Sequence, residues 1–150
     1  MKPETLFSHW GLVRKGLIRT IEKFSESDLH YNPYPGGWPV GQIMVHVANA
    51  EEGWFRYAVT KEIEEWPSYL QFENYPNKSE VLEVLASVHE ATERYLENLI
   101  EEDLAKEIHT PWGEDIPLGW IIWHVLEHEI HHRGELSLIL GILGKEGLDV

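Results

Sequence analysis

The sequence predicts an all-α protein, a four-helix bundle joined by long, crossover-type loops. Two observations carry that expectation: apolar residues recur every three or four positions in four separate stretches, and the segments between them are rich in Pro, Gly and Asn. A third supports it, because no stretch shows the sustained alternation of apolar and polar residues that a strand requires. Long amphipathic helices without strands bury their apolar stripes against one another, which makes a bundle.

The first helix is expected over about 4–24, where Leu6, Trp10, Val13, Leu17, Ile21 and Phe24 form one stripe and the following Ser-Glu-Ser run closes it. HYNPYPGGWP then carries three prolines and two glycines, so it must be a loop. A second helix follows over about 40–61, with Val40, Ile43, Met44, Val47, Trp54 and Ala58 on one side. Residues 62–78 keep no period and predict a long loop with at most a short helical turn. Asn77 followed by Glu80 forms a capping-box pattern opening the third helix, whose stripe is Val81, Leu82, Leu85, Val88, Tyr95, Leu96 and Leu99. The turn-rich TPWGEDIP separates it from the fourth helix, about 118–143, which Gly144 should stop. The first two connections are too long for tight hairpins and are expected to cross the bundle end. Trp120, Trp123, Leu138 and Ile142 put apolar surface on more than one side of the last helix, which predicts a homodimer.

Composition narrows the function. The 150 residues suffice for one domain, 1–150, with a proper core, and 43% hydrophobic against 25% charged residues is the balance of a folded globular chain. Twelve Lys and Arg against 26 Asp and Glu give a net charge of −14, so nucleic acid and anionic membrane surfaces are expected to be repelled rather than bound. With no Cys, neither disulfides nor thiolate metal sites exist, and a reducing cytoplasm is the expected location. The N-terminal MKPETLFSHWGLVRKG lacks the apolar run of a signal peptide, and no stretch reaches the roughly 20 apolar residues of a membrane span.

The chemistry concentrates in WHVLEHEIHHRGEL, which places His124, His128 and His132 at four-residue steps with His131 beside them. Residues four apart on a helix lie one turn above each other, so two imidazoles so placed can close on one ion. His124 and His132 are about 12 Å apart in helix rise, too far to share an ion with Zn–N bonds of about 2.0 Å. On a helical wheel centred on the stripe of Leu118, Ile122, Val125, Leu136, Leu140 and Leu143, His132 lies about 40–60° from the centre, with His128 next round. That makes His128 and His132 the pair tilted toward the core. A stable ion needs at least a third ligand, and His46, at the stripe edge with small Ala50 and Gly53 following on its face, is the best candidate; His9 and His89 stand alone. The H-E-x-x-H and H-x-x-E-H patterns of zinc peptidases are present, but the further downstream ligand they need is not. The E-x-x-H of Glu129 and His132 occurs once, where a di-iron bundle needs it twice.

With these residues in place, the chain resembles the DinB or YfiT-like family over essentially its whole length, most distinctively at HHRG in HEIHHRGEL, and also at GGWPVGQIMVHVANAE and PWGEDIPLGW. The resemblance implies a commonly dimeric four-helix bundle holding a divalent metal through three histidines, which map to His46, His128 and His132. It also implies metal-dependent transferase or isomerase chemistry on a low-molecular-weight thiol of the bacillithiol, mycothiol or glutathione type. Where the family often has Gln after HHRG, this chain has Glu135, which can orient a ligand or hold extra positive charge. Neutral imidazoles suit zinc best, with nickel, iron or manganese as alternatives. Glu129 and Glu135 are candidates for moving a proton, and Arg133 or Arg56 for meeting a carboxylate of the thiol. The rival readings at the same three histidines are a metal-dependent hydrolase and a non-catalytic metal-binding dimeric module.

Overall fold

The computed structural model describes residues 3–147 and is a four-helix bundle with one small hairpin. The first helical stretch divides: α1 covers Pro3–Leu6 and α2 covers Trp10–Glu22. Between them the hydrogen bonds tighten, Ser8 N–H donating to Thr5 O and Trp10 N–H to Phe7 O, so the chain steps sideways without leaving helical dihedrals at His9. Trp10, Val13, Leu17, Ile21 and Phe24 are buried as the stripe requires, while the Leu6 side chain lies outside the described set.

α3 begins at Val40, immediately after Pro39 in extended geometry, and runs to Glu52. It continues over Gly53–Val59 in a wider π register, in which Thr60 N–H reaches Phe55 O at 2.8 Å. Gly53 is required there, because a Cβ would overlap the Trp66 ring laid across it; Gly41 plays the same part under Phe72. Asn49 completes the attachment of the loop, accepting from Trp66 Nε1 and donating to Pro67 O, both at 2.8 Å. The loop carries one short turn, Phe72–Asn74.

α4 spans Lys78–Glu97, and Asn77 Oδ1 caps it by accepting from the Glu80 amide at 3.0 Å. The segment before the last helix departs from the sequence expectation. It forms two antiparallel strands, β1 Glu107–His109 and β2 Asp115–Pro117, with Ile108 opposite Ile116 and Gly113 at φ 91° in the turn. Three-residue strands are too short to display a period of two. α5 runs from Leu118 to Ile142, and Gly144 adopts φ 74° just beyond, the left-handed stop its position predicts.

α2 packs on α5, and α3 packs on both α4 and α5, whereas α2 faces α3, and α4 faces α5, across the bundle. The α2–α3 loop therefore crosses the bundle end as expected, but the α3–α4 loop joins neighbours, and the second crossing is made by the hairpin segment between α4 and α5. No helix among the described residues is long and apolar enough to cross a membrane.

Among the described residues the core is two apolar clusters. One gathers Leu17, Ile21, Met44, Leu85, Leu136 and Leu140, the other Trp10, Val13, Phe55, Leu96, Ile122 and Val125. Along every helix a polar residue falls between the two: Arg14 on α2, Glu51 on α3, His89 on α4 and Glu129 on α5, all buried.

Candidate metal centre

His46 projects from α3 and His128 and His132 from α5, two helices packed side by side. His128 Nε2 lies 3.0 Å from His46 Nε2 and 3.1 Å from His132 Nε2, and one ring nitrogen from each of the three falls within 4.8 Å of the others. Nitrogens bound at about 2.0–2.1 Å to one tetrahedral zinc stand roughly 3.3 Å apart, so the donor set fits a single ion. The rings meet edge to face, His46 and His132 at 90° with centroids 5.1 Å apart, so each presents its nitrogen rather than its face.

Protonation points the same way. Burial, followed by the neighbouring histidines, lowers His128 to about 3 and His132 to about 4, and burial also lowers His46. At neutral pH these are neutral imidazoles. Glu135 Oε2 accepts from His132 Nδ1 at 2.7 Å, which fixes the tautomer and leaves the Nε2 lone pair facing the other two rings. Converging lone pairs at such distances repel unless a cation or a shared proton lies among them. A second trio, His131, His132 and Glu135, shares His132 and the carboxylate that orients it, and its His131 is exposed.

Around the trio the tryptophans gather. Trp38 packs on His46 with centroids 4.8 Å apart. Toward the hairpin end, His124 stacks on Trp120 at 4.8 Å and 10°, and Trp54 meets His124, Trp112 and Trp120 edge-on. His46 and Trp54 lie eight residues apart on the helix of α3 and its π extension, and Trp120, His124, His128 and His132 climb α5 in steps of four. The aromatic cluster therefore lies along the same seam as the histidines.

The other sequence candidates fall elsewhere. Glu129, 1% exposed, turns to α2, where Oε2 accepts from Arg14 at 2.9 Å and from Trp10 Nε1 at 2.7 Å; no contact joins it to the histidine trio among the described residues. Arg133 lines a groove between α5 and α2, away from α3. Arg56 is committed to Glu52 at 2.7 Å and Glu62 at 3.0 Å. His89 is the partnered core histidine its lone position suggests, its Nδ1 2.8 Å from Glu51. His9 stands at the start of α2 without a side-chain capping bond.

Sequence reasoning missed the polar layer itself. Arg14 bridges Glu51 at 2.6 Å and Glu129 at 2.9 Å. Burial works against the charge on Glu51, yet Arg14 and His89 hold its carboxyl below the usual range. Burial raises Glu129 above it, and Arg14 recovers only part of that shift. The signal was an arginine one turn above Trp10, beside the apolar stripe of the first helix.

The sequence profile of the DinB superfamily matches residues 9–136. Among solved structures, a DinB-like protein from Bacillus cereus ATCC 10987 superposes with a TM-score of 0.83 at 18% identity, covering 100% of this chain and 99% of that one. YfiT from Bacillus subtilis, a probable metal-dependent hydrolase with an unusual four-helix bundle topology, gives 0.66 at 23% identity over 93% of this chain and 87% of its own. A mycothiol-dependent maleylpyruvate isomerase gives 0.63 at 17% identity, covering 88% of this chain and 60% of that longer one. Identities this low carry the fold.

Proposed function

Given that the chain belongs to the DinB superfamily, we propose that it is a metal-dependent thiol S-transferase whose divalent ion, zinc by preference, is held by His46, His128 and His132. The observation that carries this reading is the convergence of three neutral imidazole nitrogens with Glu135 behind one of them. When bound there, a divalent cation favours a thiol sulfur as its thiolate, supplying a nucleophile at neutral pH that a chain without Cys cannot supply itself.

The chain's own residues would do the rest. His46, His128 and His132 would hold the ion through Nε2, all three supplied by two adjacent helices. Glu135 holds His132 in the ligating tautomer. Trp38 on one side and Trp54, Trp112 and Trp120 on the other offer flat apolar faces that exclude water and suit an unsaturated or aromatic electrophile. The likeness to the mycothiol-dependent isomerase supports a thiol co-substrate; the likeness to YfiT supports the rival, hydrolysis at the same histidines. The working form we propose is a homodimer through the exposed apolar back of α5, where Leu138 is 67% and Ile142 55% exposed.

Incubating metal-loaded protein with 1-chloro-2,4-dinitrobenzene and a panel of esters, with and without bacillithiol, mycothiol or glutathione, tests the reaction. The transferase reading expects metal-dependent consumption of electrophile only when a thiol is present, abolished in His46→Ala. Ester cleavage without thiol favours the hydrolase, and no turnover across the panel favours a non-catalytic metal-binding module.

A further inference from the structure

We propose that the groove between α2 and α5 is a second binding site, for a small organic anion that carries a multivalent oxyanion group, phosphate or paired carboxylates, beside an apolar body. The groove encloses about 910 Å³, within the range of small-molecule sites. Its cationic walls are Lys15, Arg19 and Arg133, its apolar surface Leu12 and Ile18, and Arg14 closes it toward the core.

The charge pattern is the first argument. Among the described residues, four Lys or Arg side chains make no hydrogen bond or ion pair: Lys15, Arg19, Lys61 and Arg133. All but Lys61 line this one groove. In a chain with 26 acidic and 12 basic residues, unpaired cations should be scattered and easily neutralised. Instead, Lys15 and Arg19 stand four apart on α2, a like-charge spacing that disfavours the helix, and Glu22, the one acid lining the groove, pairs with neither.

Geometry makes the cluster compact. Arg14 and Trp10 bond Glu129, and Lys23 Nζ bonds the carbonyls of Glu146 and Gly147, so α2 and α5 run parallel in this pair. Arg133, one turn beyond Glu129, therefore stands level with the turn that carries Lys15 and Arg19. Three free cations within about one turn of helix, roughly 6 Å of rise, match a single multivalent group better than an extended polyanion. Arg14 adds an independent sign: it is buried, its terminal nitrogens bond Glu51, Glu129 and Leu85 O, and its Nε–H has no acceptor. Leu12, 60% exposed on the groove, supplies the face for an apolar body.

The site lies across α5 from the histidines, so it does not depend on the proposed reaction. Phenyl phosphate, 2-phenylsuccinate, inorganic phosphate and benzyl alcohol, titrated into metal-loaded protein and followed by calorimetry and by amide NMR shifts, test it. Phenyl phosphate or 2-phenylsuccinate should bind saturably, with shifts centred on Lys15, Arg19 and Arg133, and benzyl alcohol should not. Arg19→Gln with Arg133→Gln, or Lys15→Gln alone should the double variant misfold, should weaken that binding at least tenfold, while Lys61→Gln and His46→Ala should keep it. Equal affinity in the groove variants would overturn the proposal, as would binding lost in His46→Ala, which would assign the anion to the metal. Loss of a dimer in the groove variants, with no anion bound by the wild type, would assign the groove to a second copy and overturn it too.

Discussion

His132 shows how one side chain can be prepared for a metal by its neighbours. Burial and the adjacent rings keep it neutral, and the Glu135 carboxylate holds Nδ1 so that Nε2 faces His128 and His46. Removing that carboxylate frees the ring to rotate, so Glu135→Ala should weaken metal binding by about 10–100-fold, measured by chelator competition, while Glu135→Gln, which still accepts from Nδ1, should lose less. The same residues set a pH signature for the metal-free protein. His128 and His132 titrate near 3 and 4 in the fold against an ordinary 6.5, so the unfolded chain binds more protons between about 4 and 6.5 and stability rises with pH across that window. The melting temperature of chelated protein should accordingly fall as pH drops from 6.5 to 4, and His128→Ala should flatten the slope.

At the scale of the elements, the bundle is held in register by its polar middle as much as by its two apolar ends. Arg14, Glu51, His89 and Glu129 bring one residue from each long helix to a single layer. Glu51→Ala strips Arg14 and His89 of a partner that is itself 1% exposed, and breaking a buried pair this way costs about 3–5 kcal/mol; denaturant unfolding should show a loss of that order, against little change for the exposed Glu90→Ala. Much at this scale was legible in the sequence. The stripes of α2, α4 and α5, the cap at Asn77 and the stop at Gly144 are local rules, and each keeps its signal within one element. The hairpin was not legible, because Ile108 and Ile116 pair across a turn with only three residues in each strand. The π register after Gly53 was hidden too: its cause is Trp66, which reaches Asn49 and Gly53 from a loop with no period of its own. The histidine pair was readable because both members sit on one helix, whereas His46 had to be found by its small neighbours and by resemblance, since nothing local ties α3 to α5.

For the whole molecule, the arrangement places three chemistries around one helix. The face of α5 toward α3 carries the histidines, the side toward α2 the cationic groove, and the back carries Trp123, Leu138 and Ile142, all exposed. An apolar back of this kind is what a second copy would cover. Light scattering at micromolar concentration should give twice the 17.5 kDa chain mass, and Leu138→Glu with Ile142→Glu should return the monomer; a wild-type monomer would remove the dimer and leave the histidine site untouched. Everything functional in the proposed reading depends on that site holding an ion. Elemental analysis of the purified protein beside His46→Ala, His128→Ala and His132→Ala tests it most directly. One divalent ion per chain in the wild type, lost in all three variants while their helical circular dichroism is retained, is the predicted result; a metal content unchanged by the substitutions would contradict it.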